Sequence, residues 1–258
     1  MEFFTLETNE NGVTLVTFNR PPVNALSYDA YREIRQLAET LQATDDTRVA
    51  VITAPAGARA WCGGAELNDF LPLDREARLA RYDLINECLP TFYNVNRPTI
   101  AALNAPAVGV GLVFASFCDI RVASDEAFFA SPEIDRGVLA GGGGFFSRLN
   151  MPQGFIRELI YTGRRFSAKE MKEAGFLNYV VPREEVLPKA MELAQAIAGK
   201  SLPALKANKE ANNYAENMTW EDAYKRTNST SADLTISRDA KEGIKAFLDG
   251  RRPEYSDT

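Results

Sequence analysis

Hydrophobic positions change period several times along the 258-residue chain. Residues 3–8, FFTLET, and 13–18, VTLVTF, are β-like runs separated by NENG, a spacing that predicts a hairpin. NRPPVNALS then makes a turn, its proline pair blocking helix before Asn24. Ser27 is placed to cap a helix in which Ile34, Leu37, Ala38 and Leu41 recur at i, i+3, i+4 and i+7. VAVIT at 49–53 reads as a short buried strand, and the loop AGARAWCGGAEL leads from it to a short helix predicted to begin near Ala65. Residues 74–94 are mainly helical in pattern, with Pro90 predicted to kink or end the helix. The next unit repeats the arrangement with a TIAAL strand, a NAPAVGVG turn, an LVFASF helix and the strands DIRVAS and AFFAS. Beyond Gly154 the pattern is mostly helical, interrupted by a brief NYVV strand, with helices predicted near 187–199, 202–217, 220–234 and 238–248. This is a layered α/β pattern, with a composition shift near Gly199–Pro203 as a candidate boundary.

At 258 residues the chain can bury one sizeable core, or a main domain with a smaller appendage. A net charge of -6 and a pI near 5.0 oppose general nucleic-acid binding and favour a small-molecule partner. The chain has no histidine. Ser-His-Asp and Cys-His triads and histidine-ligated metal sites are thereby excluded, leaving proton chemistry to carboxylates, Tyr, Lys, Cys or water. Cys62, Cys88 and Cys118 lack the spacing of a zinc site or disulfide framework, which fits buried thiols in a reducing compartment. MEFFTLETNENG has neither a basic leader nor a long apolar run, so a cytoplasmic location is expected. Residues 99–117 are apolar enough to raise a membrane span, but Asn104, Pro106, Gly109 and Gly111 interrupt them. A buried strand, a tight turn and a buried helix are expected there, with no membrane association.

Three segments carry candidate chemistry. Cys62-Gly63-Gly64-Ala65-Glu66-Leu67 and Gly109-Val110-Gly111 each set glycine beside an amide able to face a ligand. In SPEIDRGVLAGGGG, Glu133 follows a strand and a proline, and Gly141–Gly144 precede the helix-like FFSRL. Two converging backbone N–H donors form an oxyanion hole, and a nearby carboxylate can move a proton at the adjacent carbon. Taken alone, the same text also fits a glycine-rich surface loop beside a solvated glutamate.

Five segments in order resemble the crotonase (enoyl-CoA hydratase/isomerase) superfamily: NRPPVNAL, AWCGGAEL, TIAALNAPAVGVG, SPEIDRGVLAGGGG and EGIKAFLDGRRPEY. The resemblance covers nearly the whole chain. It implies an α/β fold, with a crotonase-like core of ββα turns arranged in a spiral over 1–199. A C-terminal helical region over 200–258 would assemble homotrimers or dimers of trimers. It implies an acyl-CoA thioester as substrate, no separate cofactor and no metal, and stabilisation of a thioester enolate as the shared chemistry.

Carried onto this sequence, the resemblance makes the N–H groups of Ala65 and Val110 the oxyanion-hole donors and Glu133 one of the two glutamates of hydratases. Pro22, Val23, Gly63, Ala65 and Leu67 correspond to positions around the adenine and pantetheine of CoA. The second hydratase glutamate falls on Val113, which can neither hold a water nor transfer a proton. Val110 replaces a glycine, but its N–H survives any side chain except proline. Ala140, followed by Gly141, stands where proline is expected, a change that would widen the acyl pocket. Asp135 is the substitute acid if Glu133 acts with a partner; otherwise it forms a solvated pair with Arg136. Arg20, Arg59, Lys245, Arg251 and Arg252 are either phosphate contacts or solvated surface groups. Tyr214, Trp220 and Tyr224 are expected in core packing, with a neighbouring subunit's acyl pocket as the alternative. A lone carboxylate favours 3-enoyl to 2-enoyl isomerisation. Hydration or an aromatic hydratase/lyase reaction stands second, beside thioester hydrolysis and noncatalytic acyl-CoA binding.

Overall fold

The computed structural model describes residues 1–71 and 74–257; Thr258, the last residue of the expected helical region, lies outside them. The chain opens with the hairpin β1 (Phe4–Thr8) and β2 (Val13–Phe18), in antiparallel register from Phe4↔Phe18 to Thr8↔Thr14. Asn9 holds its turn, the side-chain oxygen accepting from the N–H groups of Asn11 and Val13 at 3.0 Å each. Strands and helices then alternate: β3 (Ala25–Leu26), α1 (Tyr28–Ala43), β4 (Val49–Thr53), β5 (Gly64–Ala65), α2 (Arg75–Tyr93), β6 (Thr99–Leu103), β7 (Ala107–Val108), α3 (Val110–Ser116), β8 (Ile120–Ser124) and β9 (Phe128–Ala130). Next come α4 (Gly143–Ser147), α5 (Gln153–Thr162), β10 (Phe166–Ser167), α6 (Ala168–Glu173), β11 (Tyr179–Val181) and α7 (Val186–Ala198). The C-terminal helices are α8 (Leu202–Asn217), α9 (Trp220–Thr235) and α10 (Arg238–Leu248).

The main sheet runs β1-β2-β4-β6-β8-β11, parallel after the first pair. Every residue of β4 and β6 is buried, which is why both read as continuous apolar runs. Their side chains alternate between two cores. Ala50, Ile52, Ala101 and Leu103 face the larger one with Ile34, Leu37 and Leu41 of α1. Val49, Val51, Ile100 and Ala102 face the other, packed by Val186, Ala190, Ala194 and Ala198 of α7. A small sheet, β10-β9-β7, and the pair β3-β5 lie apart from the main sheet and carry the glycine turns.

The structure follows the periodicity closely where the signal is local. Ser27 caps α1, its hydroxyl accepting from Ala30 N–H at 3.3 Å. The segment 99–117 resolves into β6, β7 and α3, and among the described residues no helix is long and apolar enough to cross a membrane.

Three expectations need correction. The helix expected near Ala65 begins at Leu67, as a 3-10 turn to Phe70, because Gly64 and Ala65 are first drawn into pairing with β3. Pro90 does not end α2, which runs on to Tyr93; the proline stands near the C-terminal end, so only a short stretch follows it. Core packing does not hold for the C-terminal aromatics: Trp220 is 76% and Tyr224 69% exposed, and Tyr214 is half-buried with its hydroxyl on Glu210. These helices are tied to the core by polar contacts instead. Lys209 of α8 is buried and its ammonium reaches Asp119 at 2.6 Å, while Asp257 pairs with Arg48.

Candidate active site

Backbone pairing converges the glycine turns. Val108 N–H donates to Cys62 C=O at 3.0 Å, and Gly109 N–H to Ala130 C=O at 2.8 Å, so β7 is laced to the segment before β5 on one side and to β9 on the other. The closeness explains the glycines. At Gly64, φ is +96 and a Cβ would lie 2.8 Å from Val108 O; at Gly109, φ is +57 and a Cβ would lie 2.7 Å from Glu133 Oε1.

These segments bound a cavity of about 320 Å³. Gly63, Gly64 and Ala65 line it from one turn, Val110 and Val113 from α3, and Glu133 from the 3-10 turn Pro132–Arg136. Leu26 accepts from Glu66 N–H at 3.0 Å within the β3-β5 pair, so strand alternation turns the intervening Ala65 N–H to the other side. Val110 opens α3, and the first N–H groups of a helix have no intrahelical acceptor. Two backbone donors are thus available on the wall that also carries Glu133.

The Glu133 carboxylate is half-buried and oriented by one neighbour. The hydroxyl of buried Ser131 donates to its Oε2 at 2.8 Å, leaving Oε1 toward Gly109. Among the described residues that line the cavity, Glu133 is the only carboxylate. Val113, 6% exposed, presents only hydrocarbon to it. Cys62 lies behind the first turn, fully buried, and burial pushes its thiol up to about 12, which removes it as a thiolate nucleophile near neutral pH.

The remaining residues named from sequence divide. Gly63, Leu67 and Gly141 line the cavity, whereas Pro22, Val23, Asp135 and Ala140 are not among the described residues that do. Val23 acts through its backbone, accepting from Gly63 N–H at 2.8 Å. Asp135 and Arg136 are both exposed, and of the two only Arg136 reaches the cavity. Arg20 is engaged within the chain: it donates to Glu66 at 3.0 Å and holds the Glu66 carboxyl below the usual range, while Glu66 caps the 3-10 turn at Asn68. Arg251 is likewise paired, with Glu242 at 2.6 Å.

Sequence reasoning missed the far wall, made by Tyr31 of α1 and by Arg78, Arg81, Ile85 and Leu89 of α2. The signal was present: these α2 residues recur at helical spacing, placing two arginines on the same inward stripe as two apolar residues. A larger cavity, about 770 Å³, lies among α8, α9 and α10 and includes Tyr214, Arg226 and Tyr255, but none of the residues just described.

Known proteins share this architecture. Residues 8–258 match the family described as enoyl-CoA hydratase/isomerase. YngF of Bacillus subtilis (strain 168), which bears an enoyl-CoA hydratase/isomerase name, is 34% identical over 262 residues, covering 98% of this chain and 96% of its own. The short-chain-enoyl-CoA hydratase of Clostridium acetobutylicum is 30% identical, covering 95% of this chain and 94% of its own. The crystal structure of enoyl-CoA hydratase from Bacillus anthracis superposes with a TM-score of 0.92 at 29% identity, covering 99% of this chain and 100% of its own. With its sequence matched from residue 8 onward and its fold shared end to end, the chain belongs to the enoyl-CoA hydratase/isomerase family of the crotonase superfamily.

Proposed function

We propose that the chain is an acyl-CoA enzyme that moves a double bond between carbons, converting 3-enoyl to 2-enoyl thioesters with Glu133 as the proton carrier. The observation that carries this reading is the lone carboxylate on a wall whose other expected acid is Val113. The thioester oxygen sits between the N–H groups of Ala65 and Val110. Glu133 takes a proton from the carbon next to the carbonyl, and the electron pair moves through the carbonyl onto that oxygen as a dienolate. Protonation of the far carbon by the same group then yields the 2-enoyl product, with no atom gained or lost. Two backbone donors suit the developing charge, one such donor being worth about 3 kcal/mol. The Ser131 hydrogen bond keeps the carboxylate in one orientation for both transfers. No cofactor enters this chemistry, because the CoA thioester is the substrate.

Hydration is the second reading, favoured by the names of relatives such as the Clostridium acetobutylicum protein. It needs a water held for attack as well as a proton transfer, and the cavity offers one carboxylate for both. The test is to assay purified protein with 2-enoyl and 3-enoyl thioesters, before and after Glu133→Gln. Isomerisation should dominate and fall by about 10²- to 10⁴-fold in the variant. Undiminished activity removes Glu133 from the mechanism, faster hydration than isomerisation selects the second reading, and release of free CoA thiol selects a hydrolase.

The same reading includes assembly into trimers or dimers of trimers through the C-terminal helices. Its support is the apolar surface they leave open, with Trp220, Ile236, Phe247 and Leu248 each more than two-thirds exposed.

A further inference from the structure

The far wall of the Glu133 cavity carries more positive charge than proton transfer uses. Arg78 and Arg81 line it, and Arg136 lines the cavity from the same turn as Glu133, the one carboxylate among the cavity's described residues. Arg81 is the unusual member. It is 1% exposed, and its guanidinium lies 5.2, 5.3 and 5.0 Å from the rings of Tyr28, Tyr31 and Phe70. Its Nη1 donates to Asp69 Oδ2 at 3.2 Å, an oxygen already accepting from Tyr28 N–H at 3.1 Å. Its Nη2 is buried and has no hydrogen-bond partner among the described residues. Nη1 of half-buried Arg78 is also unpaired, and the O–H of Tyr31, a residue with 0% exposure, finds no acceptor among the described residues.

Buried polar groups are normally paired, and an unpaired charged one is the most costly kind. A pocket for a plain hydrocarbon tail would be lined more favourably by hydrocarbon. Ile85 and Leu89 continue the face of α2 that carries Arg81, so the wall combines an apolar stretch with a polar one. Burial holds the Tyr31 phenol far above its ordinary pKa, against the opposing charge and polar contact of Arg81, so the hydroxyl keeps its proton and its O–H remains a donor. Asp69 satisfies Nη1 of the Arg81 guanidinium and leaves Nη2 without a hydrogen-bond partner among the described residues.

We infer that the acyl pocket takes a thioester whose acyl chain ends in a carboxylate, bound by Arg81 Nη2 and the Tyr31 hydroxyl with Arg78 beside them. This rests on the acyl-CoA reading of the site. A carboxylate presents two acceptor oxygens to the two buried donors at once, and charge-assisted bonds of this kind are the strong ones. With it bound, the Arg81 guanidinium faces two carboxylates, the ligand's and that of Asp69. The phosphates of CoA do not fit this role, because a site with 0% exposure at Tyr31 and 1% at Arg81 lies in the interior rather than at a solvated mouth.

The experiment is calorimetric binding of saturated acyl-CoA thioesters of matched chain length, ending either in methyl or in carboxylate, to the whole protein. Saturated esters can neither isomerise nor add water across a double bond, so the measurement is independent of which of those two reactions the site catalyses. At the length that fits the cavity the carboxylate-ended ester should bind about ten- to a hundredfold more tightly. Arg81→Met should abolish that ratio, and Tyr31→Phe, which removes one hydroxyl and keeps the ring, should reduce it about tenfold with the melting temperature held near wild type. If Arg81→Met fails to fold, the Tyr31→Phe ratio and the wild-type preference decide. Equal or tighter binding of the methyl-ended ester at every length overturns the inference and leaves the acyl-CoA reading standing. No binding of any CoA ester overturns both.

Discussion

Replacing Gly109 by alanine perturbs the position where the second glycine turn meets the carboxylate. Two effects act together and fall on different observables. The backbone at 109 has φ +57 and ψ -127, a combination that favours glycine and lies away from the left-handed helical region, so any Cβ there carries a strain penalty of about 1–2 kcal/mol. For a chain of this size that corresponds to a fall in melting temperature of about 2–8 °C. The new methyl would also lie 2.7 Å from Glu133 Oε1, inside any normal contact. A rotatable side chain yields more readily than the β7-β9 lacing, so Glu133 should be the group that moves. A displacement of about 1 Å at a reacting group costs about 10²-fold in rate. Gly109→Ala should therefore fold, melt slightly lower, and lose about 10²-fold in kcat with 3-enoyl thioesters. A thermal melt followed by circular dichroism reads the first effect, and saturating turnover reads the second. In a Glu133→Gln background the same change should cost little further activity, because the group it displaces no longer acts. Gly154→Ala, in α5 with open space around it, should raise the melting temperature slightly and leave turnover alone. Wild-type kcat in Gly109→Ala would refute the claim that this contact positions the proton carrier.

Other expected outcomes are narrower. Ser131→Ala removes the hydroxyl that holds Glu133 Oε2 and should lower kcat about tenfold with KM nearly unchanged, read from steady-state kinetics. Glu66 has its pKa lowered chiefly by the Arg20 hydrogen bond, so its contribution to stability is complete above the ordinary glutamate pKa of about 4.3 and is lost as pH falls through the lower folded value. Arg20→Ala should accordingly flatten the acid limb of a plot of denaturant midpoint against pH. Trp220→Glu together with Phe247→Glu should lower the mass measured by light scattering if the C-terminal helices assemble copies of the chain, and an unchanged oligomer would redirect the interface elsewhere.

The legible parts of this molecule are those set by neighbours in sequence. The β1-β2 hairpin, the Ser27 cap and the inward face of α1 follow from turn chemistry and spacing within a few residues. Misreadings arise where distant partners compete. Gly64 and Ala65 pair with β3 before the chain can coil, so the short helix starts later than its local text suggests. Trp220 and Tyr224 read as core residues because they are large and apolar, yet the single chain leaves them outside.

The sequence by itself determined the α/β order of elements and the absence of histidine chemistry, and its resemblance to the family implied a glutamate with valine in place of a second acid. Only the tertiary structure decided what surrounds that glutamate. Parallel pairing of β7 with β9 sets Gly109 against Glu133, and the packing of α2 and α1 over the cavity turns Arg81 and Tyr31 inward with donors unpaired. The physical reason is the range of the interactions. Caps, turns and amphipathic stripes act over a few residues, whereas a cavity wall is assembled from segments far apart in the chain, each buried for reasons of its own.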